Sequence, residues 1–374
     1  MTSEAPLGEL AYVGSELDWC LGQRLFAIRP KQDRLDGRFA FYALQTREVR
    51  ADLMGRSTGT TVQGIRQSEL RRVRLPVPDL SQQVAAASLL RTLDDRIALL
   101  RETNVTLEAI AQAMFKSWFI DFDPVHAKSQ GLAPAGMDDA TAALFPERFE
   151  DSASGSVPAG WACIDLAELT RRFGGTIQTG PFGSQLHASD YVESGVPVVM
   201  PKDIVNRRAS TYSVARIGAA DADRLCRHRL QAGDIVFSRR GDVERHALIT
   251  EREVGWLCGT GCLLLRPGQD WKAPGFLSML LDSPQARAWL VRHAVGATMP
   301  NLNTGILGSV PVVLPSPGVL VAFENLASVT EEQRSRNESM AETLATLRDT
   351  LLPRLISGQL RLPEAEARMD EALA

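Results

Sequence analysis

Arg239 and Arg240 follow directly on the apolar run DIVFS (234–238), and Gly241 follows them. A guanidinium is the side chain best shaped for a two-pronged contact with guanine O6 and N7, or with a phosphate. Side chains alternate along an extended segment, so one of the two points inward and the other outward. Glycine beside them lets the backbone approach another molecule closely. Asn301, Asn303, Gln178 and Gln185 carry amides, which donate and accept at once and so match adenine N6 and N7. These residues fall in three loops, 175–185, 238–246 and 297–303. We expect double-stranded DNA to be bound by Gln178, Thr179, Phe182, Ser184, Gln185, Lys202, Arg239, Arg240, Arg245, Thr298, Asn301 and Asn303. For any one position the alternative is a solvated surface arginine or a turn-forming amide.

Catalytic chemistry finds no comparable set. GGTIQTGPFG (174–183) is glycine-rich, but it follows no apolar strand and lacks the Lys-Ser/Thr ending of a nucleotide-binding loop. Asp121 and Asp123 in FIDFDP are close in sequence but stand at a helix end, where capping and turns use such carboxylates. Cys258 and Cys262 have no second Cys/His pair at ligand spacing, so they read as buried thiols and not as a zinc site. His187, His228, His246 and His293 read as phosphate or structural partners. We expect a binder without cofactor or metal, not an enzyme.

Two long helices must position these loops. In 82–119, Leu93, Ile97, Leu100, Asn104, Leu107, Ala111, Met114 and Trp118 recur at steps of four and three, the seam of a helix packed along another helix. Its length would be roughly 50–55 Å. Asn104 is the seam's polar residue and would fix register. Ser81 is the expected N-cap. A second such segment spans 319–356. Between and before the helices, ELAYV (9–13), RLFAI (24–28), PVVM (197–200), DIVFS, ALIT (247–250) and CLLLR (262–266) read as strands, and 37–54 and 275–294 as helices. Val73–Pro78 reads as extended, and Pro124 as the end of helical structure.

The chain also repeats itself. A shift of 237 places Trp19 on Trp256, Gly22 on Gly259, Arg29-Pro30 on Arg266-Pro267, Gln32-Asp33 on Gln269-Asp270, Gly59 and Thr61 on Gly296 and Thr298, and Leu107 on Leu344. Two copies of one unit, each a globular part followed by a long helix, are expected. On this register the first copy lacks a counterpart of 161–237. Apolar surface would then be exposed around 10–30 and 39–53.

The 374 residues suffice for two or three domains. Hydrophobic content of 44% and charged content of 23% suit a globular chain, and no apolar run reaches membrane-span length. A cytoplasmic protein with free thiols is expected from the five scattered cysteines and the absence of a leader-like start. The net charge of −4 divides unevenly: 161–317 holds 17 basic against 14 acidic residues, and 119–160 holds two against seven. A mildly basic module beside an acidic segment is compatible with DNA binding, and a mixed solvated surface accounts for it equally.

The ordered motifs SQQ (81–83), FKSWFIDFDPV (115–125), GPFGSQL (180–186), GVPVVMPKDI (195–204), GDIVFSRRGDV (233–243), GATMPNLNTGILGSVPVVLPSP (296–317) and LLPRLISGQL (351–360) resemble the specificity subunit of Type I restriction-modification systems. The resemblance implies an α+β fold in which target recognition domains alternate with two long antiparallel coiled-coil helices. It divides the chain into a truncated first recognition domain (1–80), the first conserved helix (81–120), a linker (121–160), a complete recognition domain (161–317), the second helix (318–358) and a tail (359–374). It implies partners, namely DNA methyltransferase subunits and a restriction/motor subunit, docked through Leu93, Ile97, Leu100, Phe115, Trp118 and Phe119. The partners would bring S-adenosylmethionine and ATP chemistry. The alternative is a remnant that binds partner subunits through its helices without full DNA recognition. A stand-alone nuclease or methyltransferase is disfavoured by the missing motifs.

Overall fold

Leu80–Phe119 form one 40-residue helix, α4, and Pro317–Ile356 form a second of the same length, α12. Both run without glycine beyond the first turn, and their apolar residues recur at helical spacing. The computed structural model describes residues 1–373 except 15–18, 32, 60–61, 153–154, 212–213 and 297. The repeat positions Gln32 and Thr61, and Ala297 of the third loop, therefore lie outside the described residues. The chain divides into two compact units, Met1–Thr106 with Gln333–Ala374, and Leu107–Glu332.

In the first unit, α1 (Gly37–Ala43), α2 (Arg47–Gly55) and α3 (Gln67–Leu70) precede α4, and α13 (Leu362–Leu373) follows α12. The stretch expected as one helix over 37–54 breaks at 44–46. Asp36 caps α1, its carboxylate accepting from the backbone N–H groups of Arg38 and Phe39. Phe39, Tyr42 and Ala43 pack with Leu90, Leu93, Ile97 and Leu100 of α4, and with Leu344, Leu351 and Leu355 of α12. The helices are antiparallel: Asn104 lies beside Arg334 and Asn337, and Asp94 beside Arg348. Asn104 donates to the Arg334 carbonyl at 3.1 Å and accepts from the Asn337 amide at 2.8 Å, so the seam's polar residue is satisfied. Gln83 is 1% exposed and ties two loops to α4 through three backbone groups. Its oxygen accepts from Asp36 N–H, and its amide donates to the Arg34 and Pro78 carbonyls. Ser81 lies inside the helix, which starts one residue earlier, so it is not the N-cap.

ELAYV and RLFAI form no strands; Leu25 makes a single bridge to Thr2. Of the surfaces expected to be exposed, 39–53 is covered, since Phe39, Tyr42 and Leu53 are buried, whereas Tyr12, Val13, Trp19, Leu21, Leu25 and Ile28 are exposed.

The second unit holds the rest of α4 and α12 with the larger core. The stretch 121–160 is not a bare linker. It carries α5 (Asp123–Ser129), α6 (Asp139–Ala143) and a hairpin of β1 (Phe149–Ser152) and β2 (Gly155–Pro158), and it buries Val125, Phe145 and Val157. Pro124 opens α5, where its missing N–H costs nothing, and does not merely end α4. Then come β3 (Ala162–Asp165), α7 (Leu166–Arg172), β4 (Thr176–Thr179), β5 (Tyr191–Val192), β6 (Val196–Val199), β7 (Ile204–Val205), β8 (Arg208–Ala209), β9 (Ala215–Ile217) and α8 (Ala219–Arg224). They are followed by β10 (Ile235–Ser238), β11 (His246–Leu248), β12 (Leu257–Cys258) and β13 (Cys262–Arg266). The unit's last elements before α12 are α9 (Pro274–Asp282), α10 (Pro284–His293), α11 (Thr304–Gly308) and β14 (Pro311–Leu314). Pro284 divides what reads as one helix over 275–294, because Ser283 before it is driven out of the helical region to ψ 147°. Two four-stranded sheets result, in the orders β11-β10-β13-β4 and β12-β6-β9-β5. Phe115, Trp118 and Phe119 of α4 interlock edge to face with Phe323 of α12, and Phe119 also with Phe276 of α9.

The internal repeat recurs in three dimensions. The starts of α1, α2, α3 and α4 (37, 47, 67, 80) and of α9, α10, α11 and α12 (274, 284, 304, 317) each differ by 237. The bridge Thr58–Gly64 has its counterpart, at the same shift, in Val295–Asn301.

Candidate nucleic-acid interface

β10 and β4 both run antiparallel to β13, so their last residues lie at the end where β13 begins. Ser238 faces Cys262 and Thr179 faces Leu263. Beyond the strands the backbone continues this pairing. Gly180 N–H donates to the Cys262 carbonyl, and Arg239 N–H to that of Gly261, each at 2.9 Å. The loop 295–303 joins the same end. Leu302 N–H donates to Arg239 C=O at 2.9 Å, Gly241 N–H to Pro300 C=O at 3.0 Å, and Arg240 bridges Asn301. Three loops far apart in sequence are thus gathered at one end of one sheet. Two glycines make this possible. A Cβ on Gly180 would stand 2.1 Å from the Gly259 carbonyl oxygen, and Gly241 turns the chain at φ +75°.

The side chains divide by what already holds them. Arg240 is exposed and Arg239 half-buried, as alternation requires, and neither has an ion-pair partner among the described residues. Arg239 Nε and Asn301 Oδ1 are buried without a hydrogen-bond partner, an uncommon state for such groups. Thr298 and Ser184 are exposed, Thr179 half-buried, and Phe182 is 52% exposed, a ring available for stacking. Other candidates are committed. Gln178 donates its amide to the Arg227 carbonyl at 2.8 Å. Gln185 accepts from Phe182 N–H at 3.1 Å, which shapes its own loop. Asn303 caps α11, accepting from Ile306 N–H at 2.8 Å. Arg245 pairs with Asp242 at 3.1 Å and also donates to the Ile204 carbonyl, and Lys202 pairs with Asp203 at 2.8 Å. For these five the structure shows local structural duties. Sequence reading missed Arg224, whose guanidinium holds the 180–186 loop by donating to Gln185 C=O at 2.8 Å, and the exposed Met299. Nothing in the local pattern distinguishes Arg224 from a surface arginine.

Leu93, Ile97, Leu100, Phe115, Trp118 and Phe119 are all 9% exposed or less and belong to the chain's own cores. They cannot present themselves to another subunit. The correction is physical: an a/d seam marks what is buried, and here each stretch is buried by this chain's own helix and neighbouring elements.

His246 ends the 238–246 loop but is buried, and His187, His228 and His293 lie outside the three loops. His246 is buried against Ser278 and Phe237, and burial first, then the Arg207 charge, lowers its pKa to about 3. Burial followed by the Arg227 charge holds His228 at about 4. The His187 backbone N–H donates to the Asp190 carboxylate at 2.8 Å, and His293 stacks on Trp289. Cys258 and Cys262 are buried thiols. The hydrogen bond to Cys262, then burial, pushes the Cys258 thiol well above its ordinary range. No cluster of three or more His, Cys, Asp or Glu able to hold a metal ion occurs among the described residues. No helix among them is long and apolar enough to cross a membrane.

Fold and site together define an α+β protein of two repeated units whose second copy gathers three polar loops at a sheet end. Residues 1–109 match the family described as Type I restriction modification DNA specificity domain. The chain is 24% identical to the Type I restriction enzyme HindI specificity subunit of Haemophilus influenzae, over 94% of this chain and 84% of that protein. It is also 24% identical to the MjaIX specificity subunit of Methanocaldococcus jannaschii, over 97% and 78%. The solved S subunit of a Type I system from M. genitalium shares the fold, with a TM-score of 0.52 and 19% identity over 87% of this chain and 74% of that one. Over nearly its whole length the chain is thus similar to proteins named as Type I specificity subunits.

Proposed function

We propose that this chain is the DNA-sequence recognition subunit of a Type I restriction-modification complex and that it performs no catalysis itself. One observation carries the reading: in a chain similar throughout to named specificity subunits, the loops 175–185, 238–246 and 295–303 meet at one end of a sheet. There Arg240 is exposed, and Arg239 and Asn301 hold unpaired polar atoms. In this reading residues 161–317 form the recognition domain, and Arg240, Arg239, Asn301, Thr298, Ser184, Thr179 and Phe182 face duplex DNA. Gln178, Gln185, Asn303, Arg245 and Lys202 shape the loops. Methyltransferase and restriction/motor subunits, which supply the S-adenosylmethionine and ATP chemistry, dock on exposed faces of the long helices. The apolar residues available for that are Val84, Leu99 and Val105 in the first unit, and Ile110, Val321, Leu326 and Val329 in the second. The complex works on cytoplasmic DNA. A purely helical partner-binding role leaves the gathered loops unexplained.

The test is binding of the chain, assembled with its methyltransferase partner, to duplexes it selects and to scrambled duplexes. Arg240→Ala should lower affinity for the selected duplex by about 1–3 kcal/mol and reduce discrimination at one position if it reads a base. Equal loss on both duplexes, with a shallower salt dependence, would assign it to phosphate. No effect on either would remove the loop from the interface.

A further inference from the structure

We propose that Arg207 is a positioning residue: with Arg208 it fixes the hairpin of β7 and β8 to the stretches of α4 and α12 in its own unit, and so sets the angle at which the DNA-reading loops face a methyltransferase docked on those helices. The inference rests on the DNA reading above and deepens it. Val205 pairs with Arg208, so Asn206 and Arg207 alone make the turn between the two strands. Both have positive φ, 49° and 60°. A two-residue turn of this kind favours Asn-Gly, because glycine enters the left-handed region freely while a long side chain is strained there. Arginine thus stands where glycine would suit the backbone. A residue held in that region points to a duty of its side chain.

The Arg207 side chain is 10% exposed, too buried to reach DNA itself, and it spans two helices. Its guanidinium donates to the Glu108 carboxylate of α4 and, at 3.1 Å, to Ser278 Oγ of α9, while its Nε lies 3.7 Å from the Asp282 carboxylate of α9. Ser278 and Asp282 stand one turn apart on one face of that helix. Arg208, 12% exposed, pairs with Glu331 of α12 at 2.6 Å. Water competes little for charges shielded to this degree, so such pairs hold geometry better than exposed ones. The other side of the hairpin meets the loop that carries Arg240. Arg245 donates to the Ile204 carbonyl, and Leu248 N–H donates to the Arg207 carbonyl at 3.0 Å. His246, last in that loop, bonds through Nε2 to the Ser278 carbonyl at 3.1 Å, on the residue whose hydroxyl Arg207 holds. One hairpin thus joins the 238–246 loop to α4, α9 and α12. In the reading above, the partner moves a methyl group from the sulfonium of S-adenosylmethionine to a base of the bound duplex, which sheds a proton. A misplacement of about 1 Å between reacting groups can cost about a hundredfold in rate. Loosening the hairpin therefore reaches the rate before it reaches the affinity.

Arg207→Gly tests this, because it deletes the side chain and leaves the residue that the turn favours, so the hairpin itself persists. The full chain is assembled with its methyltransferase partner, and the probe is the duplex that the wild-type complex enriches from a randomised library. Affinity for that duplex is measured beside its single-turnover methylation at saturation. Arg207→Gly should keep the affinity within about twofold and the enriched motif unchanged, and slow methylation at least about tenfold. Arg207→Lys, which keeps the charge without the planar fork, should fall between the two. Glu108→Gln leaves the hairpin sequence untouched and should repeat the loss of rate; it carries the test should Arg207→Gly fail to fold. A full methylation rate in the folded variants would overturn the proposal. Affinity that falls as far as the rate would make Arg207 a mere support of the reading loops and overturn it too. A wild-type complex that enriches no duplex would sink the DNA reading and this proposal with it, whereas enrichment by the wild type beside an unaffected Arg207→Gly sinks the proposal alone.

Discussion

Arg239 and Arg240 show what a single residue's position can and cannot reveal. That two arginines after a buried strand split into one half-buried and one exposed side chain follows from alternation alone. Which amides are already spoken for does not. Asn303 and Asn301 stand two residues apart, yet the first caps a helix while the second has an unpaired buried oxygen. Only the fold decides, because capping depends on where α11 begins. Asn303→Ala should therefore cost about 1 kcal/mol of stability, the usual value of an N-cap, with little direct effect on base discrimination. Chemical denaturation beside DNA titration checks both. His246 yields a pH prediction. Its folded pKa, about 3, lies below the unfolded value of 6.5, so the unfolded chain takes up the proton first. The stability it contributes is complete above pH 6.5 and declines as pH falls toward 3, by about 1.4 kcal/mol per pH unit at most. Asp234 and Glu324, raised chiefly by burial, act in the opposite sense near their own range, so comparison with His246→Gln isolates the effect. The variant should show a flatter loss of stability between pH 6.5 and 5 than the wild type; equal slopes would contradict a buried neutral imidazole.

At the scale of elements, the long helices were the most legible part of the chain. Uninterrupted 4-3 spacing over tens of residues fixes a helix and its buried stripe. It does not identify what buries the stripe, which is why six seam and aromatic residues read as a partner surface when they lie inside. Leu93→Asp places an unpaired charge where the side chain is 1% exposed, and should destabilise by several kcal/mol. Leu107→Asp, at a half-buried seam position, should cost less. Guanidinium unfolding of the two variants tests the order. Gln83→Ala should cost about 1–3 kcal/mol, because three backbone groups lose their buried partner. The short strands were less legible. CLLLR reads correctly because it is buried on both faces, while RLFAI, equally apolar, has no flanking strands and stays irregular. Strand formation depends on neighbours that a local pattern does not contain.

For the whole molecule, the constant shift of 237 was visible in a handful of identities and recurs in the starts of four helices. What it could not show was that the acidic stretch after α4 is built into the second unit, with Val125 and Phe145 in its core. Polar, Pro- and Gly-containing composition reads as linker, and a few large apolar residues within it are enough to anchor it. In the proposed function, the chain carries sequence information for DNA in the loops gathered on β10, β13 and β4. Selection from a randomised duplex library, using the full chain assembled with its methyltransferase partner, tests it most directly. Enrichment of a short defined motif is expected, with Arg240→Ala or Asn301→Ala relaxing particular positions of that motif while the complex stays assembled. A library that emerges unenriched from a correctly assembled complex, or a motif unchanged by both substitutions, would contradict it.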